Sequence, residues 1–196
     1  MELKFVINRN GNLPEIVNNY VIDLYRNLFI KIYGLDIYDS FLKVANLKKT
    51  SSKKVFKEYA KNYTRAMGVL ESVKNDNAID LLLVYNEDNI LVGAGRINKI
   101  SDKEVNIPDI AVDMELENAG EVWNETVKYL ISYLTNLNVE KMYLEIPFSD
   151  GALLVKAANL GFEEDPNDID IEKSNTYLLN KNLKRINENE FNFGRK

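Results

Sequence analysis

Apolar residues recur every three or four positions in several segments of this chain, and that spacing predicts amphipathic helices. Pro14 suits the first turn of the first of them, and Gly161 is the kind of left-handed residue that commonly ends a helix such as the last one. The predicted helices cover residues 14–33, 40–45, 56–70, 119–137 and 152–160.

Between these helices the spacing changes to alternation or to short apolar runs, both typical of strands. A polar turn at residues 86–89 joins two of the runs as a hairpin, and Pro108 indicates a bulge or an edge because proline has no N–H to donate. The predicted strands cover residues 3–8, 78–85, 90–100, 104–113, 141–146 and 176–183.

Hairpin-linked strands followed by a strand–helix–strand unit predict an α/β (α+β) fold. The sheet is expected to be mixed and mostly antiparallel, with about six to seven strands and with helices on both faces. The 196 residues are 45% apolar and 28% charged, which is ordinary for one globular domain. We predict a single domain over residues 1–183, with a helical insertion at about 37–76, and a polar C-terminal tail at 184–196.

Composition then narrows the chemistry, because the chain has no cysteine and no histidine. Disulfides, thiol nucleophiles, Ser-His triads and zinc sites with Cys or His ligands are excluded, and no metal is predicted. The formal net charge of -5 argues against nucleic acid and, more weakly, against an anionic membrane surface as partners. The first residues lack the apolar core of a signal peptide, and no run is long enough for a membrane span, so a cytoplasmic location is expected.

The order of these elements over residues 3–183 resembles the GNAT superfamily of acyl-CoA-dependent N-acyltransferases. Four stretches carry the likeness, and each matches a segment of the family's core at its expected place in the order. They are residues 90–97, 110–112, 118–130 and 152–162, the last ending in Gly161-Phe162.

The resemblance implies an acyl-CoA, such as acetyl-CoA, as co-substrate, and direct transfer of the acyl group to an amine without a covalent enzyme intermediate. The acceptor would be a small-molecule or peptide amine, and a homodimer is left open. The pantetheine arm would enter between the strand ending at Val112 and the strand starting near Lys141, and the diphosphate would meet the next helix N-terminus. The cofactor-binding positions implied are Ile110, Ala111, Val112, Asn118, Ala119, Gly120, Val122 and Asp150.

The diphosphate loop departs from the family pattern, which is Gln or Arg, any two residues, Gly, any one residue, and then Gly or Ala. Here Glu117 stands at the first position, Gly120 is retained, and Val122 replaces the last small residue. Asn118 and Glu121 also match an N-x-x-E capping box, which would occupy the same helix N–H groups. Cofactor binding and simple helix capping are both open for this segment.

The proton-transfer positions depart as well. Asn106 stands where many family members carry a Glu that acts as general base, and Ala157 stands where a Tyr commonly acts as general acid. The remaining candidates for catalysis are Asp109, Tyr143 and Glu145. Strand alternation predicts that Asp109 points away from the face of Asn106, as a solvated or turn-stabilising carboxylate.

Glu145 and Asp150 also have interpretations without a catalytic or cofactor-binding role. Glu145 would be a surface charge, and Asp150 would cap a helix together with Ser149. Two functions follow from these patterns. The first is an acyl-CoA-dependent N-acyltransferase. The alternative, motivated by Glu117, Asn106 and Ala157, is a catalytically silent GNAT-like module that recognises a peptide, a protein or another metabolite.

Overall fold

The computed structural model describes residues 2–33, 64–165 and 176–183. Its helices are α1 (Glu15–Tyr33), α2 (64–75), α3 (Ala119–Asn136) and α4 (Gly151–Asn159). Its strands are β1 (Lys4–Asn8), β2 (Ile79–Tyr85), β3 (Leu91–Lys99), β4 (Glu104–Ile107), β5 (Ile110–Val112), β6 (Lys141–Pro147), β7 (Glu163–Glu164) and β8 (Thr176–Asn182).

These strands form one eight-stranded sheet in the order β1-β2-β3-β4-β6-β8-β7, with β5 paired beside β3. The pairing of β4 with β6 is parallel and the other pairings are antiparallel, so the predicted mixed, mostly antiparallel sheet is confirmed. The two-residue β7 was not predicted, because a Glu-Glu pair carries no apolar pattern.

The predicted strand over residues 104–113 divides into two at Pro108 and Asp109. Proline cannot donate to a sheet ladder, and the ladder breaks at this point. Ile107 and Ile110 both face the same core although they are three positions apart, so one extra residue has been inserted into the alternation. Every side chain after the break is therefore shifted by one position relative to the pattern before it.

A hydrophobic core lies on each face of the sheet, as helices on both faces require. One core packs Trp123, Val127 and Leu130 of α3 against the sheet, and the other packs Val21 and Tyr25 of α1, together with α2, against the opposite face. The face that a side chain occupies therefore decides whether it meets α3 or α1.

The helix caps follow the sequence closely at α4. Gly161 has φ +79°, and the N–H groups of Gly161 and Phe162 donate to the carbonyls of Ala158 and Ala157 at 2.9 and 3.1 Å. This is the hydrogen-bond pattern of a Schellman C-cap, which glycine accommodates without strain. The prediction that Gly161 closes this helix is confirmed.

Some predicted features lie outside the described residues. They are the helix at residues 40–45, residues 56–63 of the following helix, most of the insertion at about 37–76, and the tail at 184–196. The domain boundaries accordingly stay a prediction. Within the described ranges, none of the helices combines the length and the apolar character that crossing a membrane requires.

Candidate active site

The sheet opens between β5 and β6. β4 runs parallel to β6 from Glu104↔Lys141 to Ile107↔Leu144, but beyond Pro108 the chain leaves this neighbour. β5 pairs with β3, while the last residues of β6 pair with β8. Two strand segments that continue a parallel pair thus diverge, and a cleft forms where they separate.

A cavity of about 230 Å³ occupies this cleft. Side chains and backbone from both faces of the sheet line it, because α1 and α4 close it on two sides and the first turn of α3 closes it at one end. The lining residues are Leu28, Lys31, Ile32, Pro108, Asp109, Ile110, Val112, Met114, Ala119, Gly120, Trp123, Glu145, Ile146, Pro147, Asp150, Ala152, Leu153, Lys156 and Thr176.

The edge of β5 supplies backbone groups to the cleft. The Asp109 carbonyl accepts from Arg96 N–H at 3.3 Å, and Asp113 N–H donates to the Val92 carbonyl at 2.9 Å, so the odd-numbered residues face β3. Since backbone groups alternate along an antiparallel ladder, those of Ile110 and Val112 point to the opposite edge, toward β6. Ala111 faces β3 and its methyl group is buried beneath α1, so it offers the cleft no free group, contrary to the sequence prediction.

The first turn of α3 borders the other end of the cavity. Asn118 begins this helix with φ -104° and ψ 22°, which is not the extended conformation usual for a capping residue, and its side chain makes no capping hydrogen bond. The predicted capping box of Asn118 and Glu121 is therefore wrong. The Glu121 N–H donates instead to the Asn118 backbone carbonyl at 2.8 Å. Ala119 and Gly120 line the cavity.

Two other residues of this loop lie away from the cavity. Glu117 is exposed and is not among the lining residues, so its charge does not face the cleft. Val122 is fully buried in the core; its N–H donates to the Asn118 carbonyl, and its own carbonyl accepts from the Thr126 hydroxyl at 2.7 Å. Val122 thus has no group available to a cofactor, contrary to the sequence prediction.

Lys156 of α4 brings a positive charge to the first turn of α3. A Cβ added at Gly120 would lie 3.2 Å from Lys156 Cε and 3.7 Å from Lys156 Nζ. Within the residues that the structure describes, Lys156 forms no ion pair. An ammonium group is therefore available beside Gly120, where the loop itself carries no basic residue. No local pattern in the sequence indicates this contact, because α4 lies some thirty residues beyond the loop and only the fold joins them.

Asp150 links α4 to α1 across the mouth of the cleft. Its carboxylate accepts from the Leu153 N–H at 3.3 Å, which caps α4, and from Lys31 Nζ at 2.5 Å. Ser149 donates its hydroxyl proton to the Lys31 backbone carbonyl at 3.3 Å and does not share the cap. The capping interpretation of Asp150 is confirmed, and the Lys31 charge is matched by it.

A buried cluster of charged and polar side chains lies under α1. Tyr25 donates to Asp109 Oδ1 at 2.7 Å, while Arg96 donates to Asp109 Oδ2 through Nε at 2.8 Å and through a terminal nitrogen. Burial, and then the charge of Asp109, raise the pKa of Tyr25 well above its usual value. Burial lowers the pKa of Arg96, but Asp109, with smaller contributions from Tyr25 and Glu145, raises it above its ordinary value, so the guanidinium stays charged.

The position of Asp109 contradicts the sequence prediction in two respects. The side chain is 4% exposed rather than solvated, and it lies on the same face as Asn106 because the inserted residue at Pro108 resets the alternation. Arg96 was the available signal, since a charge between buried residues of a strand requires a partner. Tyr25 had no such signal, as it fits the apolar stripe of α1.

Glu145 lines the cavity from β6 and is not the surface charge that its non-catalytic interpretation supposed. Asn106 Nδ2 donates to Glu145 Oε1 at 2.8 Å, and the Thr176 hydroxyl donates to Oε2 at 3.3 Å. Burial is the main cause that raises the pKa of Glu145, and the nearby charge of Asp109 adds to it, while both hydrogen bonds and the charge of Arg96 oppose the shift.

The tyrosines of the chain's second half do not line the cavity. The Lys141 ammonium lies 4.5 Å from the centre of the Tyr143 ring, and the ring of Tyr129 stacks on that of Phe5 with 4.2 Å between the ring centres. Trp123 is 4% exposed and anchors the core of α3, as predicted, while one part of it borders the cavity. Tyr143 is thus the catalytic candidate that the structure places outside the cleft.

No family model matches this sequence, and no curated protein sequence matches it. Solved structures do resemble it. A spermidine N-acetyltransferase from Vibrio cholerae in complex with CoA and spermine aligns with a TM-score of 0.60 at 13% identity, over 93% of this chain and 96% of that one. An acetyltransferase of the GNAT family from Staphylococcus aureus Mu50 gives 0.60 at 13% identity, over 93% and 100%.

A third such structure is the PaiA N-acetyltransferase from Thermoplasma acidophilum in complex with coenzyme A, with a TM-score of 0.56 at 10% identity, over 91% of this chain and 99% of that one. The likeness extends over nearly the whole length of each protein. This chain therefore has the fold of the GNAT N-acetyltransferases.

Proposed function

We propose that this protein is an acyl-CoA-dependent N-acyltransferase that transfers an acetyl or another acyl group to the amine of a small molecule or a peptide. The observation that carries the proposal is the cleft between β5 and β6, where a free strand edge, a helix N-terminus and an available lysine follow one another. Two structural neighbours in complex with CoA, from Vibrio cholerae and Thermoplasma acidophilum, support it.

The cleft suits an extended amide chain that ends in an anion. A pantetheine arm would add to β5 as a strand does, hydrogen-bonding to the outward backbone groups of Ile110 and Val112. An N–H of this edge would also polarise the thioester carbonyl. The diphosphate would lie at Ala119 and Gly120, where the helix N-terminus attracts negative charge. Asn118 begins that turn, and Asp150 would act through Lys31 by holding α1 and α4 around the cleft.

The reaction needs few protein groups. The amine nitrogen attacks the acyl carbonyl carbon, the new C–N bond forms, and the C–S bond breaks with its electron pair leaving on sulfur. One proton must leave the amine, and the thiolate takes one from water. A CoA thiolate is stable enough to leave without an enzymatic acid, which is consistent with Ala157 at the position where the family commonly has Tyr.

Titration of the protein with acetyl-CoA tests the proposal. We expect saturable heat in calorimetry and amine-dependent release of the CoA thiol with at least one of spermine, small primary amines and lysine-containing peptides. Absence of heat at millimolar acetyl-CoA would contradict the proposal. Binding without turnover for any amine would favour the silent module that recognises a peptide, a protein or another metabolite.

Lys156 is expected to hold the diphosphate. Replacing Lys156 with Met removes the ammonium beside Gly120 and should weaken acetyl-CoA binding about tenfold, a free energy of about 1.4 kcal/mol. The rate at saturating acetyl-CoA should change little, because the charge is remote from the acyl group. The measurement is the dissociation constant by calorimetry at two salt concentrations.

Two comparisons sharpen the Lys156 experiment. Lys128→Met removes an equal charge from an exposed pair with Glu125 on α3 and should leave affinity unchanged. Dephospho-CoA should show the same tenfold loss with Lys156→Met, since it keeps the diphosphate and lacks the 3′-phosphate. A loss that disappears with dephospho-CoA would assign Lys156 to the 3′-phosphate and contradict this prediction.

A further inference from the structure

We propose that Glu145 is the proton acceptor for the attacking amine and that Asn106 is its positioning residue. The carboxylate that acts as base would then lie on β6, and not on its parallel neighbour β4, where many family members carry it. The assignment rests on the proposed function.

The register explains how one residue replaces the other. Asn106 of β4 lies opposite Tyr143 of β6, and Glu145 follows two positions later on the same face. Asn106 Nδ2 donates to Glu145 Oε1 at 2.8 Å, so the two side chains meet between the strands. Glu145 lines the cavity and Asn106 does not, which leaves the carboxylate next to the substrate and the amide behind it.

Among the carboxylates that line the cavity, Glu145 is the one that forms no ion pair in the described part of the chain. Asp109 uses both oxygens, one for Tyr25 and the other for Arg96. Asp150 is paired with Lys31. The hydrogen-bond partners of Glu145 are the neutral Asn106 and Thr176, so no direct ion pair reduces the basicity of its carboxylate.

The surroundings also suit a group that must hold a proton and release it. The charged groups facing this carboxylate are Asp109 and Arg96. Burial and then the charge of Asp109 raise the pKa of Glu145 from its ordinary value, and they outweigh the two hydrogen bonds and the charge of Arg96, which lower it. A carboxylate whose pKa is raised in this way is a stronger base than a solvated one.

Asn106 can support both protonation states. Its Nδ2 donates to the carboxylate, while its Oδ1 is buried and has no hydrogen-bond partner among the described residues. Rotation of the amide by half a turn would present Oδ1 to a protonated Glu145 as an acceptor. The side chain at 106 would thus keep the carboxyl group in place before and after it takes the proton from the amine.

The decisive variant is Glu145→Gln, in which the amide keeps both hydrogen-bond partners. We expect acetyl-CoA affinity within about twofold of wild type and a loss of about a hundredfold or more in turnover. The matched control is Glu140→Gln, an exposed carboxylate directly before β6, and it should keep wild-type turnover. If wild type and Glu145→Gln turn over at similar rates, the assignment of Glu145 is overturned and the proposed function stands. If wild type acetylates no amine, the proposed function is overturned and the assignment falls with it.

Stability separates loss of chemistry from loss of fold. Because the folded-state pKa of Glu145 lies above its unfolded value, the folded protein holds this proton more tightly, and that contribution is lost as the pH rises through the folded-state pKa. Above that pKa, the ionised Glu145 therefore weakens the fold. Glu145→Gln should raise the melting temperature at pH 7, and the difference should close at acidic pH. A lower melting temperature would mean a structural role and overturn the assignment.

Asn106→Leu tests the positioning role. Losing the donor should raise the pKa of Glu145, so the acidic limb of kcat/KM should move to higher pH, while KM for acetyl-CoA stays unchanged. The ratio of variant to wild-type rates at each pH removes the effect of the ionisation of the amine substrate, because that ionisation is the same for both proteins. Carbon-13 spectra of labelled glutamate, with the Glu145 signal identified by its absence in Glu145→Gln, should show the same upward shift. An unchanged titration of that signal would overturn the role of Asn106.

Discussion

Gly120→Asp is expected to abolish measurable acetyl-CoA binding while leaving the protein folded. The new carboxylate would stand at the N-terminus of α3, where the diphosphate is proposed to bind, and would neutralise Lys156 at the same point. A like-charge contact across an interface costs several kcal/mol, so we expect a loss of affinity of about a hundredfold or more. Calorimetry with acetyl-CoA measures it.

The same substitution should not harm the fold. A carboxylate in the first turn of a helix is stabilising by about 0.3–1 kcal/mol, and the contact at 3.2 Å is with the flexible end of Lys156. We therefore expect the melting temperature of Gly120→Asp to equal or exceed that of wild type. This combination of unchanged stability and lost affinity distinguishes a binding role for the loop from a purely structural one.

Two further glycine variants serve as controls. Gly120→Ala adds only the Cβ, so it should weaken binding much less than Asp does, which separates the effect of size from that of charge. Gly68→Asp adds the same carboxylate on α2, where a new Cβ would meet nothing within 4 Å, and should bind acetyl-CoA as wild type does. Undiminished binding by Gly120→Asp would contradict the proposed diphosphate site.

The fold was predictable because its elements are long and strongly periodic. β2 contains the apolar run of residues 81–84, and the helical stripe of α3 persists over its full length. The chain also places its turn residues where elements end, as Gly161 does. Two-residue β7 escaped prediction for the opposite reason, since strand pairing, not its own composition, makes it a strand.

The candidate site was predictable only in part, because its residues come together through contacts that are distant in sequence. Tyr25 meets Asp109 over a separation of 84 positions, and Lys31 meets Asp150 over 119. Local patterns identify the strand edge and the helix N-terminus, since both belong to one stretch of chain. They do not show which lysine reaches Gly120.

One local rule failed for an identifiable reason. Alternation assigned Asp109 to the face opposite Asn106, but the inserted residue at Pro108 shifts the pattern by one. The proline was visible in the sequence, and a bulge was predicted from it, yet the consequence for the next side chain depends on whether the chain regains its old alternation. Here it does not, so a carboxylate expected at the surface lies beside the cleft.

Arg96→Met is expected to destabilise the folded protein by about 3–5 kcal/mol, the range observed when one partner of a buried ion pair is removed. Asp109 is 4% exposed, so its charge would be left without a cation and with the Tyr25 hydroxyl as its remaining hydrogen-bond donor among the described residues. Chemical denaturation at pH 7 measures the change. Lys128→Met, which breaks an exposed pair, should change stability by about 0.5 kcal/mol at most.

The double variant Arg96→Met with Asp109→Leu distinguishes a lost attraction from a stranded charge. If the main penalty of Arg96→Met is the uncompensated carboxylate, removing that carboxylate as well should restore part of the stability, although Tyr25 then loses its acceptor. A double variant less stable than Arg96→Met alone would mean that Asp109 contributes mainly through Tyr25. The cluster would then serve to hold α1 against the sheet, and its position beside Glu145 would matter to catalysis only through the shape of the cleft.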